Sequence, residues 1–129
     1  MSQETSANSV VKTFKASAVI HAGHAVTISA AGTATEAAAG HTAAGIYIGE
    51  QDCVAGDHVQ VCVMGVCRAW ADAGAAITVN PPCFLADNTS AHMHVEASST
   101  VRALGIALEP KASGTGYVEM LVCPFVVCA

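Results

Sequence analysis

Cysteine and histidine, six of each, are the side chains of this sequence with the most chemistry to offer. Cys62 and Cys67 flank the run Val63-Met64-Gly65-Val66. If Met64 and Gly65 turn the chain back on itself, Val63 faces Val66 and Cys62 faces Cys67 in the closer kind of cross-strand pair, with Cα atoms about 4.5 Å apart. A disulfide tolerates that separation, so Cys62 and Cys67 are the candidate pair. Cys53, Cys83, Cys123 and Cys128 stand apart and read as small apolar core residues.

The same two thiols could join His92 and His94, which flank Met93 and share one face of a strand, around a metal that accepts sulfur and imidazole. The spacing gives that set little support: no Cys-x-x-Cys occurs, and His21, His24, His41 and His58 lie near turn-like glycines. Nucleophilic catalysis would require a Gly-x-Ser-x-Gly elbow or a cysteine in a recognisable catalytic signature, and the sequence has neither. Asp52, Asp57, Asp72 and Asp87 fall where turns place solvated aspartates, so no acid–base pair is assigned. Gly40, Gly45 and Gly49 are not followed by the Gly-Lys-Ser or Gly-Lys-Thr of a phosphate cradle. The expectation is a protein that is not an enzyme, with no catalytic residue, no cofactor and no metal ligand.

The elements that must position these residues are strands. Short β-branched runs recur, each closed by Gly, Pro, Asp or Asn, which is the pattern of an all-β domain. Strands are expected at Val10 to Lys15, Ala18 to His21, Val26 to Ser29, Ile46 to Ile48, Val59 to Met64, Val66 to Trp70, Phe84 to Ala86, His92 to Ala97, Val101 to Glu109 and Tyr117 to Val122. Val59, Val61 and Val63 alternate with His58, Gln60 and Cys62, marking a half-buried strand. Val59 to Trp70 is expected to be a hairpin turning at Met64-Gly65. The stretch from Gly32 to Ala44 has good helix formers but three-and-four spacing of large apolar residues is missing, so an extended loop or edge segment is expected.

The 129 residues fit one domain, with residues 1–9 as a flexible polar leader and 10–129 as a single β domain. Hydrophobic residues make up 53% and charged ones 12% of the chain, a weakly charged exterior that calls for cover by other protein surfaces. The net charge is −5, and Lys12, Lys15, Arg68, Arg102 and Lys111 are too scattered to track phosphates, which argues against direct nucleic-acid binding. The first residues lack a basic start and an apolar core, so cytoplasmic synthesis is expected. Met120 to Ala129 is broken by Pro124 and falls short of the roughly 20 residues of a membrane span, so no membrane partner is expected.

In order and spacing the chain resembles the phage capsid cement, or head decoration, family of tailed bacteriophages. The resemblance is carried by Lys12-Thr-Phe-Lys-Ala-Ser-Ala-Val-Ile-His-Ala-Gly-His-Ala-Val, Gly45-Ile-Tyr-Ile, Ala55-Gly-Asp-His-Val-Gln-Val, Gly65 and Ala73-Gly-Ala-Ala-Ile-Thr. Leu104-Gly-Ile-Ala-Leu-Glu and Ala112-Ser-Gly-Thr-Gly-Tyr-Val-Glu-Met-Leu-Val close it. Two segments depart from the family pattern, Asn80-Pro-Pro-Cys-Phe and the apolar tail Cys123-Pro-Phe-Val-Val-Cys-Ala, which is expected to pack on a neighbour.

The resemblance implies a compact β-barrel-like domain with an extended N-terminal segment, a homotrimer on the outer surface of the virion, bound to the phage major capsid protein and stabilising the shell. Val10, Val11, Lys12, Phe14 and Lys15 are the candidate capsid-docking segment, through addition of a strand to a capsid edge. They could equally be the first strand of the barrel. Ala55-Gly-Asp-His-Val also looks similar to the hairpin entry of a biotinyl or lipoyl carrier, but Met64-Gly65 stands where such a domain needs its lysine. A small metal-binding β-barrel is the other alternative.

Overall fold

The computed structural model describes residues 9–38, 42–96 and 102–126. Alternating and β-branched runs become nine strands among these residues: β1 (Val10–Ala16), β2 (Ala25–Ile28), β3 (Thr33–Glu36), β4 (Gly45–Tyr47), β5 (His58–Asp72), β6 (Phe84–Asp87), β7 (Met93–Val95), β8 (Arg102–Ala107) and β9 (Thr115–Val126). No described residue is helical. The Gly32 to Ala44 stretch contains β3, which pairs with both β1 and β2 and is therefore interior to its sheet, not at an edge. Ala18 to His21 is not a strand; Ile20 alone makes a bridge, to Cys53.

The strand order β1-β3-β2-β4-β5-β7-β6-β8-β9 closes twice, because β5 also pairs with β1 and with β9. Two five-stranded rings therefore share β5. The first half of β5 pairs with β1 and β4, running from Lys15 opposite His58 to Val10 opposite Met64. Its second half pairs with β9 from Gly65 opposite Val122 to Asp72 opposite Thr115, and Ala71 meets Met93 of β7. Closure of this kind leaves few strand edges exposed.

The expected hairpin at Met64-Gly65 is thus corrected: β5 is one strand of 15 residues. The favoured two-residue reversals need a positive φ at the first central residue. Here the positive φ falls on Gly65, at 104°, the second of the two. Met64 and Gly65 also spend their pairing on Val10 and Val122. Gly65 marks the handover from one ring to the other. Ser9, assigned to the leader from sequence, donates from Oγ to the Val66 carbonyl at 3.2 Å and packs against Gly65; residues 1–8 lie outside the described residues.

The core divides into two clusters, the larger of which draws on strands of both rings. Val59 and Val61 of β5 join Ala16, Ile20, Val26, Ala34, Tyr47 and Cys53 in one cluster, with Phe14, Ile28 and Val63 packed against it. Cys67, Ala69 and Ala71 of β5 enter a larger cluster with Ile46, Ile48, Leu85, Met93, Leu104, Met120 and Val122. Alanine is abundant in the larger cluster, where small side chains fill a narrow ring interior. The Pro81-Pro82 pair sits in a tight turn, with Val79 bridged to Pro82. The apolar tail continues β9 alongside β8 as far as Val126, and its last three residues lie outside the described residues.

Candidate functional site

Of the two roles that the sequence left open for β1, the structure shows one, a strand of the barrel. Its pairing with β5 makes it the first strand of a ring. Val11 packs against the larger core cluster and Phe14 against the smaller one, so these two side chains are spent on the fold. Lys12 and Lys15 are exposed, as is Val10 at 40%. Val10 lies opposite Met64, itself 52% exposed, and together they form an apolar pair on the surface. The parallel pairing of β1 with β3 reaches only Lys15 and Ala16. From Val10 to Phe14 the second edge of β1 has no strand partner among the described residues.

Cys62 and Cys67 meet, though by another route than a hairpin. A straight strand would hold residues five apart at about 17 Å, with side chains on opposite faces. The bend at Gly65 brings the two thiols into hydrogen-bonding contact. Cys62 Sγ also lies 3.5 Å from the Met64 carbonyl oxygen, to which it donates. The hydrogen bond from Cys67 lowers the pKa of the Cys62 thiol, and the same bond with burial pushes Cys67 far up. Both are free thiols here, as are Cys53, Cys83 and Cys123; Cys128 lies outside the described residues. We expect diamide to oxidise Cys62 and Cys67 to a disulfide, taking up the two hydrogens. Alkylation in denaturant followed by peptide mass mapping should then show both unmodified, and full labelling of both would count against pairing.

The metal set suggested by sequence is not assembled. His94 Nδ1 lies 2.9 Å from the Ala86 carbonyl oxygen, and the His92 ring stands edge-on to His24 at 4.8 Å between centroids. Among the described residues it is His21, His24 and Glu36 whose ligand atoms converge, within 4.8 Å of one another. Sequence reading missed this group because Glu36 is brought to His21 by the β2–β3 pairing, in which Val26 lies opposite Glu36. A hydrogen bond to Glu36 raises the pKa of His21, whereas burial lowers that of His24. His41 lies outside the described residues.

The aspartates divide. Asp52 accepts from the Ala22 amide, Asp57 from Val54 and Asp72 from Gly74, all of them partly or fully exposed, although Asp72 ends β5 opposite Thr115 and is not itself a turn residue. Asp87 does not fit the expectation of a solvated turn residue: it ends β6 and is 2% exposed. Its carboxylate accepts from the amides of Thr42 and Ala43, each at 3.3 Å. It braces backbone rather than facing a cleft.

The match to known proteins settles what this scaffold is. Residues 5–123 match the family model described as phage cement protein. The chain belongs to the phage cement protein family. No curated protein matches it. Among solved structures it is similar to the N base of the head fiber gp8.5 of bacteriophage phi29, with a TM-score of 0.61 and 19% identity, covering 89% of this chain and 94% of that one. At that identity the likeness shows a shared fold. Cement family membership supports a capsid-associated structural role for this chain as a virion component. The carrier reading falls, since Met64-Gly65 is neither a lysine site nor a hairpin tip.

Proposed function

We propose that this cement protein docks on the outer surface of an icosahedral phage head as a homotrimer, bridges major capsid subunits and stiffens the shell without catalysis. Family membership over nearly the whole chain carries the reading. The open edge of β1 with its exposed Val10–Met64 pair supplies a surface suited to it. An unpaired strand edge offers a row of backbone donors and acceptors that a capsid strand can complete, and the apolar pair beside it gives an anchor. Lys12 and Lys15 add charge at the rim, which steers encounter more than it holds the complex. Three such edges on one trimer would have to release together, so modest contacts add up to slow detachment.

Mixing purified protein with expanded, undecorated heads of the cognate phage and imaging them should show density related by the three-fold axes. Bare shells would refute the reading. Val10→Glu with Met64→Glu puts charge on two exposed positions and should leave folding intact while lowering head occupancy by about tenfold or more. Wild-type occupancy by that variant would move the docking surface elsewhere.

A further inference from the structure

The turn that carries His21 and His24 is the seam between the two rings. The Gly23 amide donates to the Tyr47 carbonyl and the Trp70 amide donates to the Gly23 carbonyl. Gly23 also lies where any side chain would run into the Tyr117 ring and the Trp70 backbone. Beside it opens a cleft of about 290 Å³ lined by His21, His24, Asp52, Trp70 and Tyr117.

Glu36 Oε2 accepts two hydrogen bonds from His21, one from the backbone amide at 2.7 Å and one from Nδ1 at 2.8 Å. His24 Nδ1 lies 2.9 Å from the same oxygen, yet its ring aims no N–H at it, and this buried nitrogen has no hydrogen-bond partner. His92 Nδ1, in the ring standing edge-on to His24, is likewise buried without a partner. A buried imidazole nitrogen left unpaired costs free energy that hydrogen bonding within this group does not recover. Two imidazoles and a carboxylate converging with a lone pair unspent is the arrangement that a cation completes.

We propose that His21, His24 and Glu36 bind one divalent transition-metal ion of the zinc class, which ties the turn at the seam to the end of β3. The donor set decides the class: two imidazoles and one carboxylate suit zinc and its neighbours, whereas magnesium and calcium take mostly oxygen ligands in larger number. Tetrahedral ligands at zinc lie about 3.4 Å apart, so the 2.8–2.9 Å nitrogen–oxygen separations need open only slightly. Metal entry displaces the proton on His21 Nδ1: a doubly protonated ring releases it to solvent, and a neutral ring keeps its single proton by carrying it on Nε2. Asp52 Oδ2 lies 3.9 Å from His21 Nε2, too far for a hydrogen bond but near enough to favour the proton on that nitrogen while Nδ1 holds the metal. His21 and His24 line the cleft, so solvent has access to an ion held between them.

The test uses the full chain stripped with chelator and kept reduced, then titrated with zinc chloride. One zinc per chain should be retained through gel filtration, with a rise in melting temperature. His21→Ala acts on a side chain 53% exposed and so spares the fold; it and Glu36→Gln each remove a direct ligand and should weaken binding by more than the roughly 100-fold that losing an outer-shell partner costs. His58→Ala, on an exposed histidine outside the group, should bind as wild type. Retention of no zinc by the wild type, or undiminished binding by His21→Ala, would overturn the site.

Discussion

Gly105→Ala is expected to lose at least about 3 kcal/mol of folding stability, at or beyond the usual upper range for overpacking. Gly105 sits in β8 opposite both Leu85 of β6 and Val122 of β9, at a register shift in the β8–β9 ladder. A methyl group there would overlap the Leu121 carbonyl and approach Met120 Cε to 2.9 Å. The methionine end can swing aside. The carbonyl cannot, because it belongs to β9, whose backbone is tied to β8 on one side and β5 on the other. Gly56→Ala is the natural comparison: nothing lies within 4 Å of its added carbon, and only its φ of 94° is unfavourable. That strain is about 1–2 kcal/mol. Urea melts of the two variants should therefore differ clearly in midpoint. Equal losses would mean that close approach is not why glycine stands at 105.

Such positions mark where the sequence was readable and where it was not. The alternation of Val59, Val61 and Val63 is a local property, and β5 buries Val59 and Val61 as that alternation requires. The all-β class and most strand positions follow from the same kind of signal. What local pattern could not reveal was the fate of Met64-Gly65: a turn signal lost to pairings with Val10 and Val122, residues more than fifty positions away in either direction. The Cys62–Cys67 encounter was foreseen from a hairpin and is produced instead by a bend in one strand. Val11 and Phe14 of the candidate docking segment turn inward and leave Val10, Lys12 and Lys15 outside, a division that only a closed ring makes visible. His21 and His24 lie near turn-like glycines in the sequence, and nothing in that local pattern points to Glu36, which meets them only through the β2–β3 pairing.

Asp87→Ala is the second large effect, about 3 kcal/mol, from two charge-assisted hydrogen bonds lost and backbone groups left unpaired. Asp87 holds the amides of Thr42 and Ala43 from β6, while Arg102 Nη1 of β8 donates to the Ala43 carbonyl at 2.7 Å. The Ala44 amide donates in turn to Val26 of β2. One short segment leading into β4 is thus gripped by strands of both rings. Removing the carboxylate should loosen that grip before the rest of the fold, so hydrogen exchange at Ala43 should accelerate more than exchange in the β5–β9 ladder. Asp87→Asn keeps an acceptor and should lose roughly half as much. The docking proposed above relies on each chain presenting its β1 edge in a fixed orientation, and looser coupling of the rings would weaken simultaneous engagement. Asp87→Ala should accordingly reduce head occupancy even at temperatures where it remains folded. Uniform exchange rates with unchanged occupancy would show that the Asp87 hydrogen bonds do not contribute to coupling the two rings.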